Sequence, residues 1–126
     1  MTKEQALEQL KFHSGRHPDV NSAKWSSGFL PSLRPFNGLN RPAFDNLMEC
    51  LDILKDEIQG AEALDRELIT DLWIICHYAK ALGTDPEGMI RRNNIIFDQE
   101  LKELEHWINR ISFRVSWWLE GLEEED

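Results

Sequence analysis

The stretch LKELEHWINRISFRVSWWLEGL, residues 101–122, decides the fold class of this chain. Its large apolar residues recur at alternating intervals of three and four: Leu101, Leu104, Ile108, Ile111, Val115, Trp118 and Leu122. Such a heptad seam lies on one face of an α-helix and packs along a neighbouring helix or a second copy of the chain. Trp107 and Trp117 lie off the seam and make the apolar face wider than a two-stranded coiled coil requires. We therefore predict a helix over residues 98–121 inside a helical bundle.

Two further helices are predicted nearer the N-terminus. Thr2 followed by Gln5 fits a capping box, which begins a short helix that ends near Phe12. Asn40 is a suitable N-cap for a second helix, in which apolar residues recur at helical spacing until Gly60 stops it.

A third helix is predicted over residues 63–82 and is closed by Gly83. Its middle, LWIICHYA, is apolar nearly all round, so we expect it to be the most enclosed helix. Asp85 as a cap and Pro86 at the first helical position predict a short helical turn after it. No segment shows the alternation of a half-buried β-strand. The predicted fold is therefore all-α, roughly a four-helix bundle.

An irregular segment, residues 13–42, interrupts the helical pattern. It holds four of the five prolines and three of the seven glycines, without a sustained period. Connections of this length are uncommon in compact domains and are usually functional or mobile. We predict a long Pro/Gly/aromatic loop packed on the bundle, and a frayed acidic tail at residues 122–126.

Composition indicates one folded domain, residues 1–126. The chain is 41% apolar and 29% charged, which is typical of a globular protein. It has no apolar run long enough for a secretory signal or a membrane span. Cys50 and Cys76 fall in separate predicted helices, so we expect a reduced, cytoplasmic protein, although a disulfide between them stays open.

Charge is divided unevenly along the chain. The net charge is −9, which argues against direct binding to nucleic acid or to an anionic membrane. Residues 13–42 nevertheless carry four basic residues and one acidic residue, whereas residues 43–126 carry eight basic and twenty acidic. The loop is therefore a basic patch on an acidic body.

Three pairs of residues could carry chemistry, and each favours a structural role. His13 and His17 have the spacing of two metal ligands on a helix, but Gly15 and Pro18 make a helix there doubtful. We expect no metal, and no cofactor because the phosphate-binding glycine motifs are missing.

The other two pairs lie in predicted helices. Glu103 and His106 match one half of a di-iron motif whose second half is missing from the chain. Cys76 and His77 are adjacent in a helix and point about 100° apart, so they cannot act as nucleophile and base together. No catalytic motif remains, and we expect no enzymatic activity.

The loop offers the best candidate binding residues. Trp25, Phe29, Arg34, Phe36 and Arg41 combine aromatic and basic side chains, which dominate binding hot spots. Its apolar residues could equally cover an open groove of the bundle, because exposing several of them invites aggregation. Both roles are compatible if the apolar anchors point inward and the arginines outward.

Our leading hypothesis is a small protein-interaction or regulatory module. Its acidic surface suits a basic protein partner, as an immunity protein suits a nuclease toxin. Two alternatives stay open: a metal-binding helical bundle or small enzyme, and a homodimeric structural protein that pairs through the helix at 98–121.

Overall fold

The computed structural model describes residues 1–123 and is built from helices. They are α1 (Lys3–Ser14), α2 (Ala23–Ser26), α3 (Arg41–Ile58), α4 (Arg66–Ala79), α5 (Met89–Arg92) and α6 (Asp98–Leu119), and a π-helical segment (Lys80–Thr84) continues α4. One isolated bridge joins Leu33 to Phe36, and the described residues contain no β-strand. The prediction of an all-α fold is confirmed.

Side chains cap α1 and α3 as their sequences predict. The Gln5 backbone N–H donates to Thr2 Oγ1 at 3.1 Å, and the Thr2 N–H donates to Gln5 Oε1 at 2.8 Å. Asn40 Oδ1 accepts the N–H of Ala43 at 3.0 Å and begins α3. α1 runs two residues past the predicted end, to Ser14, and ends at Gly15, whose φ of +75° favours glycine.

The predicted bounds of the third helix are wrong at its start. Asp65 Oδ1 accepts the N–H of Leu68 at 2.9 Å, so the cap places the first turn of α4 at Arg66 and not at residue 63. After Ala79 the chain passes into the π-helical segment. There Gly83 lies so close to α6 that an added Cβ would sit 2.8 Å from a methyl of Leu104.

The prediction that this helix is the most enclosed is also wrong. The side chain of Trp73 is 59% exposed and that of Tyr78 is 46% exposed. α4 contacts α1 on one side and α6 on the other, and within residues 1–123 no further long helix packs against its remaining face. Its apolar run therefore covers only one side of the core.

The short helical turn begins later than predicted. Asp85 caps a turn rather than a helix, because its Oδ1 accepts the N–H of Glu87 at 2.9 Å and its carbonyl accepts the N–H of Gly88 at 2.8 Å. α5 follows from Met89, so Pro86 belongs to the turn that precedes it.

The core lies between the four long helices. α1 contacts α3 and α4, and α6 contacts the same two helices from the opposite side. Phe44 of α3 stacks on Trp107 of α6 with ring centroids 4.7 Å apart, which shows that the wide face of α6 is used. Leu101 is only half-buried and Leu122 lies exposed beyond the helix end, so the contacting seam is shorter than the heptad pattern. No helix in the described part of the chain combines the length and apolarity needed to cross a membrane.

The tail begins with two residues that contact the body of the protein. The Leu122 carbonyl accepts a hydrogen bond from Gln59 Nε2 at 3.0 Å, and Glu123 forms an ion pair with Lys55 at 2.8 Å. The rest of the tail predicted to be frayed, residues 124–126, lies outside the described residues.

Candidate functional site

His13 fastens the N-terminal loop to the helices. Its Nδ1 accepts the backbone N–H of Phe29 at 3.0 Å, so the ring proton sits on Nε2, which donates to Asn46 Oδ1 at 2.8 Å. The His13 carbonyl also accepts the N–H of Leu30 at 2.9 Å. Burial lowers the pKa of this imidazole, although its hydrogen bond to Asn46 opposes the change. One neutral side chain therefore joins α1, the loop and α3.

The loop backbone also packs directly on α1. A Cβ added at Gly28 would sit 2.2 Å from the carbonyl oxygen of Phe12, a distance that no side chain tolerates. The next residue, Phe29, is 1% exposed and tilts against Phe44 in the core, and Leu33 is likewise buried. Phe29 was predicted to bind a partner, but in this structure it is a core residue.

Trp25 and Arg34 line one cleft on the outer side of the loop. The cleft has a volume of about 500 Å³, and Pro31, Pro35 and Leu39 contribute apolar walls. Ser22 caps α2 by accepting the N–H of Lys24 at 3.2 Å, and this short helix positions Trp25.

Trp25 and Arg34 differ in their exposure to solvent. The indole Nε1 of Trp25 is shielded from solvent and finds no hydrogen-bond partner among residues 1–123. The Arg34 side chain is exposed, and the ion pairs of the described chain do not include it. A carboxylate arriving from outside would reach the exposed Arg34 guanidinium, whereas Trp25 Nε1 is closed to solvent.

Phe36 and Arg41, two other predicted binding residues, do not line this cleft. Phe36 is half-buried and packs against the core. Arg41 is exposed, with side-chain nitrogens 3.8 Å from Asp45 and 3.7 Å from Glu103. The structure therefore brings together two of the five predicted residues, Trp25 and Arg34.

The histidines considered as metal ligands have other partners. His17 stacks on Phe12 at 3.8 Å between ring centroids, with Nε2 3.4 Å from a carboxylate oxygen of Glu8. Glu103 accepts the indole N–H of Trp107 at 2.9 Å. In the described chain no three His, Cys, Asp or Glu side chains converge as a metal site requires.

Cys76 and His77 have separate surroundings and are not arranged as a nucleophile and its base. Burial raises the pKa of the Cys76 thiol to about 11, although the nearby Lys80 ammonium opposes the rise. His77 instead stacks on Trp73 at 4.5 Å. Cys50 and Cys76 are both free thiols. A protonated thiol without a base beside it is a poor nucleophile.

Sequence reasoning missed an apolar groove between α4 and α6. It has a volume of about 360 Å³ and lies between Trp73 and Cys76 on one wall and Ser112, Ser116 and Leu119 on the other. Two small serines four residues apart, directly beside the apolar seam of α6, are the only sequence signal for such a hollow.

The outer face of α3 carries a row of carboxylates. Asp45, Glu49, Asp52 and Asp56 are all exposed, and their spacing of four, three and four residues places them on one side of the helix. Arg114 donates to Asp52 at 2.9 Å, whereas Glu49 and Asp56 enter no ion pair within residues 1–123. This acidic row is the part of the body best suited to a basic partner.

No known protein family, curated protein or solved structure matches this chain. Function is therefore inferred from three surfaces: the Trp25–Arg34 cleft, the α4–α6 groove and the acidic row of α3.

Proposed function

We propose that this protein is a protein-interaction module that holds an acidic segment of a partner protein in the Trp25–Arg34 cleft. The four long helices form a bundle that serves as its scaffold. The proposal assigns no catalytic step and no cofactor to the chain. A reducing cytoplasmic setting suits its two free cysteines.

The observation that carries the proposal is the exposed Arg34, which has no ion pair among residues 1–123, beside the apolar walls of one cleft. A carboxylate placed beside the Arg34 guanidinium gains charge-assisted hydrogen bonds, which are roughly twice as strong as neutral ones. Trp and Arg are also the residue types that most often dominate protein interfaces. We therefore expect acidic residues, whose charge is opposite to that of Arg34, in the bound segment.

The fixed loop supports the same proposal. Because His13 and Gly28 hold the loop against α1, the cleft exists before any partner arrives. Binding then costs little loop ordering, which otherwise reduces affinity.

A library of random twelve-residue peptides displayed on phage tests the proposal. We expect the immobilised protein to enrich peptides that contain Asp or Glu next to an apolar residue. Arg34→Gln should weaken the binding of the corresponding synthetic peptides by at least tenfold, as measured by fluorescence anisotropy. Arg92→Gln is the matched control, since Arg92 is exposed on α5, outside the cleft, and should leave the affinity unchanged.

Two results would count against the cleft. Either no peptide is enriched, or the enriched peptides bind the Arg34→Gln protein as tightly as the wild type.

The acidic row of α3 favours a second candidate, a module that binds a basic protein. Glu49 and Asp56 are exposed carboxylates that the fold leaves without an ion pair among the described residues. The same selection decides between the two. Peptides rich in Lys and Arg, whose binding is lost in the Glu49→Gln/Asp56→Asn double variant and is weakened by salt, would place the partner on α3.

A further inference from the structure

The α4–α6 groove has one large wall and one small wall. On α4, Trp73 stands 59% exposed at the rim. On α6, Ser112 and Ser116 leave a shallow hollow beside Leu119, which is 46% exposed. A surface that offers both a bulky indole and a hollow of this kind is able to pack against a second copy of itself.

The two helices run in opposite directions along the groove. Lys80, just past the end of α4, shares a neighbouring cleft with Glu105 near the start of α6. Glu120, near the end of α6, lines the groove itself together with Ile69 from the first turns of α4. At each end of the groove, the start of one helix therefore lies beside the end of the other.

The charges on the two walls are opposite in sign. Arg66 and Lys80 lie seven residues before and after Trp73, and Lys80, the C-cap of α4, keeps right-handed helical backbone angles, so all three lie on one side of the helix. Glu105 and Glu120 lie on the wall formed by α6. None of these four charged side chains takes part in an ion pair within the described chain.

We propose that the groove is a self-association surface, on which a second copy of this chain packs around a two-fold axis parallel to the groove. This axis lays α4 of each copy over α6 of the other. Trp73 of each copy then meets the hollow at Ser112 and Ser116 of its partner. The inference is independent of the peptide cleft, which lies on the N-terminal loop.

Charge decides in favour of this axis. The axis along the groove places Lys80 of each copy over Glu105 of the other, and Arg66 of each copy over Glu120 of the other. The spacings also agree, since Arg66 to Lys80 spans about 21 Å and Glu105 to Glu120 about 22 Å at 1.5 Å per residue. A two-fold axis across the groove would instead lay α4 over α4 and α6 over α6, and would bring like charges together at both ends.

The size of the face sets the expected affinity. Two helix faces about 21 Å long and about 10 Å apart make a small interface by the standard of stable dimers. We therefore expect a dissociation constant in the micromolar range, which places the monomer–dimer equilibrium within reach of sedimentation velocity.

Two charge reversals test the proposed contact between copies. Lys80→Glu alone sets Glu against Glu at two points of the dimer, and Glu105→Lys alone sets Lys against Lys. Each variant should dimerise at least tenfold more weakly than the wild type. An equimolar mixture of the two should recover a heterodimer, because every contact then joins opposite charges. Recovery on mixing requires pairing between chains and cannot result from a change within one chain.

Further measurements fix the groove and the fold. Trp73→Ala should weaken the dimer, whereas Phe113→Ala should not, because Phe113 is exposed on α6 outside the groove. Circular dichroism and thermal unfolding establish that each variant is folded. Arg34→Gln should leave dimerisation unchanged, which separates this inference from the peptide cleft.

Three outcomes would overturn the inference. The first is a wild-type protein that stays monomeric at concentrations of several hundred micromolar, about a hundred times the lower micromolar range. The second is a dimer that neither charge reversal weakens. The third is a dimer that Lys80→Glu strengthens, because that result indicates the axis across the groove.

Discussion

Replacing His13 by Leu should loosen the whole N-terminal loop. The substitution keeps a buried side chain of similar size but removes the acceptor of the Phe29 N–H and the donor to Asn46. The Phe29 N–H is then buried without a partner, whereas the half-buried Asn46 amide can recover a bond from water. An unsatisfied buried group costs about 1–3 kcal/mol and a lost hydrogen bond about 1 kcal/mol, so we expect the free energy of unfolding to fall by about 2–4 kcal/mol at pH 7.5.

The same residue should make stability depend on pH. Burial lowers the pKa of His13 below 6.5, so the unfolded chain binds a proton at a higher pH than the folded chain does. The stabilising contribution is complete above pH 6.5 and is lost as the pH falls toward the folded pKa. Within that window the free energy of unfolding should fall by up to about 1.4 kcal/mol per pH unit for this one group.

Urea unfolding at pH 7.5, 6.5 and 5.5, followed by circular dichroism, measures both effects. We expect the difference in stability between wild type and His13→Leu to shrink as the pH falls, because only the wild type loses the contribution of His13. His106→Leu is the control, since His106 is exposed on α6 and should keep the pH dependence of the wild type. A difference between wild type and His13→Leu that stays constant with pH would refute the reasoning, and so would a loss below about 0.5 kcal/mol at pH 7.5.

Three further predictions concern backbone contact, a buried carboxylate and the thiols. Gly28→Ala should lower the free energy of unfolding by about 1–3 kcal/mol, because the new methyl group would clash with the backbone of α1. Gly60→Ala is the control, since Gly60 has open space around it and the substitution should change the free energy of unfolding by less than about 1 kcal/mol. Urea unfolding measures both variants. Asp71→Ala should cost about 2–4 kcal/mol in the same assay, since the buried Asp71 carboxylate accepts hydrogen bonds from the Ser14 hydroxyl at 2.9 Å and from Arg16 at 2.8 Å. A loss below about 1 kcal/mol would contradict that role. Burial raises the pKa of Cys50 to about 12 and that of Cys76 to about 11. Both thiols should therefore react slowly with a thiol reagent at pH 8 until urea unfolds the chain. Fast reaction of either thiol in the folded protein would show that it is not enclosed.

The sequence predicts the helices well where local chemistry determines them. Thr2 and Asn40 cap their helices because their side chains accept backbone N–H groups three positions away, an interaction that needs no other part of the fold. The periodic apolar residues of α3 and α6 similarly identify a face without identifying its neighbour.

Errors arise where the neighbours decide. The apolar middle of α4 suggests burial on every side, but burial requires helices on every side, and among the long helices of the described chain only α1 and α6 contact α4. Trp73 is therefore left at a rim, a position that its hydrophobicity alone does not indicate. The π-helical segment likewise contains Gly83, whose close approach to Leu104 is a contact between distant parts of the chain that the local sequence does not reveal.

The sequence likewise predicts only part of the candidate site. Composition identifies the loop as unusual, and aromatic and basic residues identify it as a surface for recognition. The positions of the aromatic residues depend on the turn of α2 and on the hydrogen bond that the Phe29 N–H donates to His13, so Trp25 lies at the cleft while Phe29 lies in the core. Neither feature has a periodic signature in the sequence.

Charged side chains that stabilise the fold can be distinguished from those that could bind a partner. Arg16 donates to buried Asp71 at 2.8 Å and to Glu67 at 2.7 Å, and the pKa of its guanidinium is raised first of all by the hydrogen bond to Asp71. This basic residue of the loop therefore ties the loop to α4. Arg34 makes no such contact within residues 1–123 and stands beside a cleft. A cation that folding does not need is retained at little structural cost, so its side chain is available to a partner, and Arg34 is the first residue to test.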